Sequence, residues 1–156
     1  MFYYIGGSAY RAIAKYNNTS YSTLNGGMYG LNPYVQTMAV YNNNIIVGCG
    51  FDGVNGMYAP NLVGWNGTSW HKLKDEYLNS PCDLVVDSIN NFLYVASQQS
   101  YSDTASGMKR WDGYNWEDLL MYSPAVASGP WTGIRSWPNK LCIKKNYMSH
   151  YLHSIR

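Results

Sequence analysis

Charged residues are scarce in this chain of 156 residues, at 13% of the total, where soluble domains average about 25%. Residues 1–134 carry six Lys and Arg against nine Asp and Glu, a net charge of −3, whereas residues 135–156 carry five basic residues and no acidic one. No basic run exceeds two residues. The C-terminal segment is therefore expected to be a solvated tail, with an acidic partner as the alternative and nucleic acid disfavoured.

Other absences exclude whole classes of protein. No apolar run approaches the ~18 residues of a membrane span, and the first residues lack the pattern of a secretory signal. The three cysteines, Cys49, Cys82 and Cys142, are odd in number and lack zinc-binding spacing, so we expect free thiols. No Ser lies in a Gly-x-Ser-x-Gly turn, and no phosphate-binding glycine loop opens a helix. The sequence predicts no catalytic residue and no cofactor.

Tyrosine, glycine and tryptophan are abundant instead, with 16 Tyr, 15 Gly and 6 Trp. Tyr and Trp favour the half-buried surface of a β-sheet, and Gly and Asn favour turns. Hydrophobic residues make up 46% of the chain, which is enough for a core, and the length corresponds to one domain. The composition predicts a single all-β domain over residues 1–156.

A twelve-residue motif occurs three times without gaps. "IAKYNNTSYSTL" (13–24), "LVGWNGTSWHKL" (62–73) and "MKRWDGYNWEDL" (108–119) each hold an aromatic residue, a polar turn, a second aromatic five positions later and Leu three after that. Aromatic residues on either side of a turn stabilise a hairpin by packing across it. We interpret the motif as a structural hairpin, with sugar stacking as the alternative. Its members are Tyr16, Tyr21, Trp65, Asn66, Gly67, Trp70, Trp111, Asp112, Gly113 and Trp116.

A second element recurs in phase with the hairpins. Short apolar runs occur as "FYYIGG" (2–7), "NIIVGCG" (44–50), "NFLYVAS" (91–97) and "KLCIKK" (140–145), and three of them follow another strand-like run that ends in an Asn turn. Four short antiparallel strands per 40–50 residues are typical of a β-propeller blade. The predicted fold is all-β, with four-stranded antiparallel blades in tandem. The predicted repeat units are 1–24, 34–73, 82–119 and 131–156.

This pattern resembles the kelch-type, or galactose-oxidase-like, propeller. The resemblance covers nearly the whole chain and rests on Ile5-Gly6-Gly7, on the looser Val47–Gly50 and on the aromatic hairpin. The double glycine is absent at Ala96-Ser97 and at Ile143-Lys144. The resemblance implies about three and a half blades, whereas rings close with roughly 4–8. We therefore expect part of a longer chain, or a ring that further copies or a protein partner complete.

In such a blade, the long loops lie on one face and carry binding function. We expect long loops at 7–12, 25–33, 50–60, 74–81, 98–107 and 120–130. The candidate ligand-binding residues are Tyr10, Asp52, Tyr58, Tyr101 and Asp103. No metal site is predicted, because Asp52 and Asn55 lack the spacing of a calcium loop and His150 and His153 lack a third zinc ligand.

The function expected from these features is a non-catalytic binding or assembly module. Low charge with abundant Tyr, Asn and Gly favours an exposed extracellular or virion surface component, such as a fibre or decoration protein. Two alternatives stay open. A lectin-like propeller that binds carbohydrate requires equivalent pockets in each blade, and a fragment of a propeller enzyme requires catalytic residues in blades that are not in this sequence.

Overall fold

A computed structural model describes residues 11–74, 78–97 and 107–119 in full, and the backbone alone of the strand residues 4–5, 8–9, 141–144 and 147–150. Within these ranges the protein is all-β, as predicted, and contains seventeen strands and no helix. The strands are β1 (Tyr4–Ile5), β2 (Ser8–Ala9), β3 (Lys15–Tyr16), β4 (Tyr21–Ser22), β5 (Met28–Tyr29), β6 (Tyr34–Tyr41), β7 (Asn44–Gly50), β8 (Gly53–Val54), β9 (Met57–Tyr58), β10 (Leu62–Trp65), β11 (Trp70–His71), β12 (Pro81–Asp87), β13 (Phe92–Ser97), β14 (Met108–Trp111), β15 (Trp116–Asp118), β16 (Leu141–Lys144) and β17 (Tyr147–His150).

Two four-stranded antiparallel sheets form most of the described fold. Sheet I has the order β6-β7-β10-β11 and sheet II the order β12-β13-β14-β15, so each strand of a sheet pairs with the next one of that sheet along the chain. These sheets contain the four consecutive strands expected between residues 34 and 73 and between 82 and 119. None of the described sheets is closed, and the arrangement of the sheets as blades of a ring stays a prediction.

The segments 25–33 and 50–60, which the sequence predicts as loops, contain a third sheet. Strand β5 pairs with β8, and β8 pairs with β9, to form the small loop sheet. Met28 lies opposite Val54, and both side chains are fully buried. These long loops are therefore not irregular throughout, because two short strands 26 positions apart satisfy each other's backbone groups.

An Asn-Asn pair forms the turn between β6 and β7. Tyr41 pairs with Asn44, and the two residues between them, Asn42 and Asn43, have φ angles of 47° and 61°. A two-residue hairpin turn of type I′ requires positive φ at both central positions, and Asn tolerates that conformation better than most residues. The Asn-Asn pair therefore fixes the register of the β6–β7 hairpin.

Both sheets carry a β-bulge at the same place in their first strand. The register against the second strand shifts between Val35 and Thr37 in sheet I and between Pro81 and Asp83 in sheet II. A bulge bends its strand and increases the local twist, and it also accommodates a proline, which has no N–H for the ladder. The two first strands are therefore bent near their N-terminal ends in the same way.

Three apolar clusters show how these elements pack in layers. The first cluster lies between one face of sheet I and two other elements, the loop sheet and the N-terminal hairpin (β3–β4 with its flanking residues). Its buried residues are Ile13, Leu24, Met28, Val47, Phe51, Val54, Ala59, Val63 and Trp70. The second joins the other face of sheet I to sheet II: Tyr41, Ile46, Leu62, Leu73, Leu78, Leu84, Leu93, Val95 and Trp111. The third covers the far face of sheet II: Cys82, Tyr94, Ala96 and Met108. Each fully buried side chain contributes about 1.5–3 kcal/mol, so face-to-face packing holds the layers together.

Candidate functional site

The repeated aromatic residues lie in pairs across their hairpins. In each pair the two residues are register partners on adjacent strands, and the rings are tilted against each other. The ring centroids are 4.7 Å apart for Tyr16 and Tyr21, 5.0 Å for Trp65 and Trp70, and 5.0 Å for Trp111 and Trp116. Offset aromatic contacts at such distances add about 0.5–1.5 kcal/mol to the burial of the rings. Each hairpin is therefore stabilised by contacts within twelve residues of sequence.

The polar turns of the three hairpins are also built alike. In each turn one side-chain oxygen accepts hydrogen bonds of 2.7–3.1 Å from the backbone N–H groups two and three residues later, and the acceptors are Asn17, Asn66 and Asp112. The residue that follows each acceptor has a positive φ: 73° at Asn18, 101° at Gly67 and 103° at Gly113. The turn thus requires a short oxygen acceptor and then a residue that tolerates positive φ.

Two of the tryptophans form a hydrogen bond between their own hairpin and the preceding one. The indole N–H of Trp70 donates to the backbone oxygen of Leu24 at 2.5 Å, and that of Trp116 donates to the backbone oxygen of Leu73 at 2.8 Å. Trp70 and Trp111 are 9% and 7% exposed. The rings of Trp70 and Trp111 therefore pack inside the fold, whereas Tyr16 and Tyr21 of the first pair are 54% and 48% exposed.

The loop-face candidates are only partly within the described residues. Tyr10, Tyr101 and Asp103 lie outside them. Asp52 directly precedes β8, where its N–H donates to the backbone oxygen of Tyr29 at 2.8 Å. Tyr58 lies on β9 opposite Gly53 and is 64% exposed. Tyr58 therefore lies on the small loop sheet, and Asp52 lies directly before its central strand.

The described ranges lack the features of a metal site and of a membrane-spanning helix. These ranges contain no group of three or more His, Cys, Asp or Glu side chains placed to hold an ion. Asn55 adopts φ of 48° and its N–H donates to the backbone oxygen of Gly27, so it serves the turn between β8 and β9. The side chains of His150 and His153 lie outside the described residues. No helix in the described ranges has the length and hydropathy needed to cross a membrane.

Two of the three cysteines are free and buried near the bulges. Cys49 donates its thiol hydrogen to Oε1 of Gln36 at 3.3 Å, and Cys82 donates to the backbone oxygen of Ala96 at 3.4 Å. Burial raises the pKa of Cys82 to about 11 and also raises that of Cys49. Because the thiolate is the reactive form, both groups act as packing residues. The expectation of free thiols is confirmed for these two, and Cys142 lies outside the described residues.

An open apolar groove lies between the N-terminal hairpin and sheet I. It has a volume of about 580 Å³, with Ile13 and Leu24 on the hairpin side and Met38, Val40 and Ile45 on the sheet side. The last three are 59%, 69% and 37% exposed. Large apolar side chains exposed together mark interaction surfaces. Sequence reasoning missed this groove, because the run "TMAVY" predicts a strand without showing which of its faces is covered.

No family model, no curated protein and no solved structure matches this chain. The geometry of the described residues therefore carries the functional assignment.

His71 is the one histidine among the residues described in full. Its ring packs over Gly64, where an added Cβ would come within 2.5 Å of the imidazole. Burial lowers the pKa of His71, so the ring is neutral at pH 7. Its position on the short strand β11, over the backbone of β10, is that of a packing residue.

Proposed function

We propose that this chain is a non-catalytic, kelch-like β-propeller module that binds protein and assembles into an exposed structure, such as a virion fibre or decoration protein. One observation carries the proposal. The contact between the N-terminal hairpin and sheet I is made again between sheet I and sheet II, with the same indole-to-carbonyl bond from Trp70 and from Trp116. A contact that recurs from one layer to the next generates a row of blades, and rows of twisted four-stranded sheets close into rings.

The open groove supports an assembly role for the module. Met38 and Val40 are more than half exposed on an eight-residue strand, although exposed apolar surface favours aggregation unless something covers it. A binding surface is the physical reason to keep these side chains apolar. With 13% charged residues in the chain, contacts of this kind are apolar or hydrogen-bonded rather than ionic. An extracellular or virion surface location fits such a component.

The lectin alternative depends on different residues. Trp70 and Trp111 are nearly fully buried, whereas Tyr58 on the loop sheet is exposed. Sugar stacking requires an accessible aromatic face with polar groups nearby, and Tyr58 on the loop sheet offers such a face, as do Tyr16 and Tyr21, which are 54% and 48% exposed. Tyr58 has no described counterpart in sheet II, and repeated pockets are not part of the proposal.

The test is the mass and shape of the purified chain in solution. Light scattering is expected to give a multiple of the 17.7 kDa chain mass, and electron microscopy is expected to show ring-shaped particles with radial blades. A stable monomer without affinity for any protein partner would contradict the assembly function. A glycan array is expected to show no binding, and saturable binding to one glycan class that Tyr58→Ala abolishes would establish the lectin function instead.

A further inference from the structure

We propose that Asn66, at the tip of the second hairpin, is a site of spontaneous deamidation that its own turn promotes. In this modification water replaces the side-chain amide of asparagine and leaves a carboxylate, and asparagine is one of the thermally labile residues of proteins. The attacking group is the backbone nitrogen of the next residue, which here is Gly67. Glycine has no Cβ that shields its own nitrogen. The inference is independent of the proposed assembly function and rests on residues that the structure describes in full.

The reaction balances with water and hydroxide alone. Hydroxide removes the proton of the Gly67 N–H, and the nitrogen attacks Cγ of Asn66. The new C–N bond closes a succinimide ring, the Cγ–Nδ2 bond breaks, and the amide takes a proton from water and leaves as ammonia. Water then adds to one of the two ring carbonyls and opens the ring, which gives either aspartate or isoaspartate.

The turn directs hydrogen-bond donors at the oxygen that gains charge in this attack. Oδ1 of Asn66 accepts from the N–H and the hydroxyl of Thr68, both at 3.0 Å, and from the N–H of Ser69 at 2.8 Å. When a nitrogen adds to the carboxamide carbon, this oxygen becomes an oxyanion, and donors that are already in place stabilise it. The same bonds hold the carboxamide over the turn that contains the attacking nitrogen.

The reacting atoms are also accessible to solvent. Residues 66–69 are all exposed. Among the described residues, no heavy atom lies within 4 Å of a Cβ added to Gly67. Hydroxide and water can therefore reach the turn without any opening of the fold.

The two other Asn-Gly pairs of the chain, Asn25-Gly26 and Asn55-Gly56, restrain each other. A Cβ added to Gly26 would lie 2.9 Å from Oδ1 and 3.1 Å from Cγ of Asn55. The Asn55 carboxamide thus packs against the residue whose nitrogen would attack Asn25. Because this contact has to open before either pair reacts, Asn66 is expected to react first.

The third hairpin shows that the fold accommodates the aspartate product. Asp112 takes the place of Asn66 there, and its Oδ1 accepts from the N–H groups of Tyr114 and Asn115 at 2.7 Å. Conversion of Asn66 to aspartate therefore gives the second hairpin the turn that the third hairpin already has. Isoaspartate instead lengthens the backbone, and we expect it to break the hydrogen bond from the N–H of residue 66 to the backbone oxygen of Ser69.

The first hairpin is a matched control within the same chain. Oδ1 of Asn17 accepts from the N–H and the hydroxyl of Thr19 at 3.1 and 2.8 Å, and from the N–H of Ser20 at 2.8 Å. The residue that follows is Asn18, so a side chain crowds the nitrogen that would attack. The donors are the same and the attacking residue differs, and Asn17 is therefore expected to keep its amide.

The first test incubates the folded wild-type chain in mildly alkaline buffer and follows each asparagine by peptide mass spectrometry. Asn66 is expected to lose its amide faster than Asn25 and Asn55. In urea the three residues are expected to react at similar rates, because unfolding removes both the turn and the packing contact. Enzymatic methylation of isoaspartate separates the two products. A folded chain in which Asn66 keeps its amide, or loses it no faster than the other two, overturns the inference.

The second test exchanges the attacking residue between the two turns. Asn18→Gly is expected to raise the rate at Asn17 to that of Asn66, and Gly67→Asn is expected to lower the rate at Asn66 to that of Asn17. Both positions have a positive φ, which glycine and asparagine tolerate, so both variants are expected to fold. Rates that do not follow the glycine overturn the assigned nucleophile.

The third test removes one donor from the turn. Thr68→Val keeps the backbone N–H and the branched shape but lacks the hydroxyl, and we expect it to slow the reaction at Asn66 about tenfold, the effect of one hydrogen bond to a charged oxygen. Thr68→Ser keeps a hydroxyl and is expected to react at the wild-type rate. A rate that Thr68→Val leaves unchanged overturns the role of the turn. None of these results depends on assembly, so failure of the inference leaves the proposed function standing.

Discussion

Trp116 donates its indole N–H to the backbone oxygen of Leu73 at 2.8 Å, across the boundary between two hairpins. Trp70 makes the same bond to Leu24 at 2.5 Å, one hairpin earlier. Each acceptor is the Leu that ends the twelve-residue motif, and each donor is the second aromatic of the next motif. The residue types of the motif thus encode both the hairpin and its connection to the hairpin before it.

Replacing the donor tests the strength of this connection. Trp116→Phe keeps a ring but leaves the Leu73 carbonyl without its indole partner, and an unsatisfied polar group costs about 1–3 kcal/mol. Trp70→Phe is expected to cost more, because Trp70 is more deeply buried and its bond is shorter. Urea unfolding measures both. Tyr114→Phe, at a side chain that is 82% exposed, is the control, and equal midpoints for all three variants would contradict the role of the bond.

The turn of the second hairpin predicts that Gly67→Asn destabilises the protein less than Gly67→Ala does. This residue has φ of 101°, and no heavy atom lies within 4 Å of a Cβ added there, so only backbone strain opposes a side chain. Gly67→Ala is expected to cost about 1–2 kcal/mol. Gly67→Asn is expected to cost less, because Asn18 holds the equivalent position with φ of 73°. Thermal unfolding of the two variants measures the difference, and a less stable Asn variant would refute the equivalence of the turns.

The third hairpin predicts a contribution to stability that depends on pH. The backbone N–H groups of Asn115 and Tyr114 bind the Asp112 carboxylate and lower its pKa. A pKa that is lower in the folded state stabilises the protein above the unfolded value, about 3.9, and this stabilisation disappears as the pH falls through the folded value. The advantage of wild type over Asp112→Asn is therefore expected to shrink below about pH 4.

Urea midpoints at neutral and acidic pH measure this change. Asn66→Asp provides the matched variant, because Asn66 is the equivalent acceptor in the second hairpin. That variant is expected to gain the same dependence on pH. A difference between wild type and Asp112→Asn that does not change with pH would contradict the assignment.

The buried thiols predict slow chemical modification of the folded chain. Cys49 is fully buried and Cys82 is 7% exposed, and burial raises the pKa of Cys82 to about 11. In a Cys142→Ser background, a thiol reagent at mildly alkaline pH is expected to label neither residue while the chain is folded. Both are expected to react once urea unfolds the chain. Rapid labelling of the native protein would contradict the packing of the two strands at the bulges.

How far the sequence predicts this protein depends on how local each feature is. The β3–β4 hairpin needs only Tyr16, Tyr21 and the Asn turn between them, and these residues lie close together in the chain. The sequence therefore predicts this hairpin. The pairing of Met28 with Val54 in the loop sheet joins distant segments without any repeated pattern, and the sequence predicts loops there.

For the candidate sites too, the sequence predicts local features, and only the structure shows the distant contacts. The packing role of Trp70 follows from its place in a repeated motif, but its partner, the Leu24 carbonyl, is known only from the structure. The sequence predicts Asp52 and Tyr58 as loop residues, whereas the structure places Tyr58 on β9, in a hairpin with the β8 strand that follows Asp52. The apolar groove was missed, because no sequence pattern tells a covered strand face from an open one.

The sequence by itself determined the all-β class, the hairpins and the order of four consecutive strands, since alternation, aromatic pairs and Asn or Gly turns act over a few residues. Only the tertiary structure decided which face of each sheet is covered. Leu84 and Met38 are both apolar residues at the same place in a first strand, yet one is buried and the other is exposed. Burial depends on what packs against a residue, and here the neighbour comes from another part of the chain.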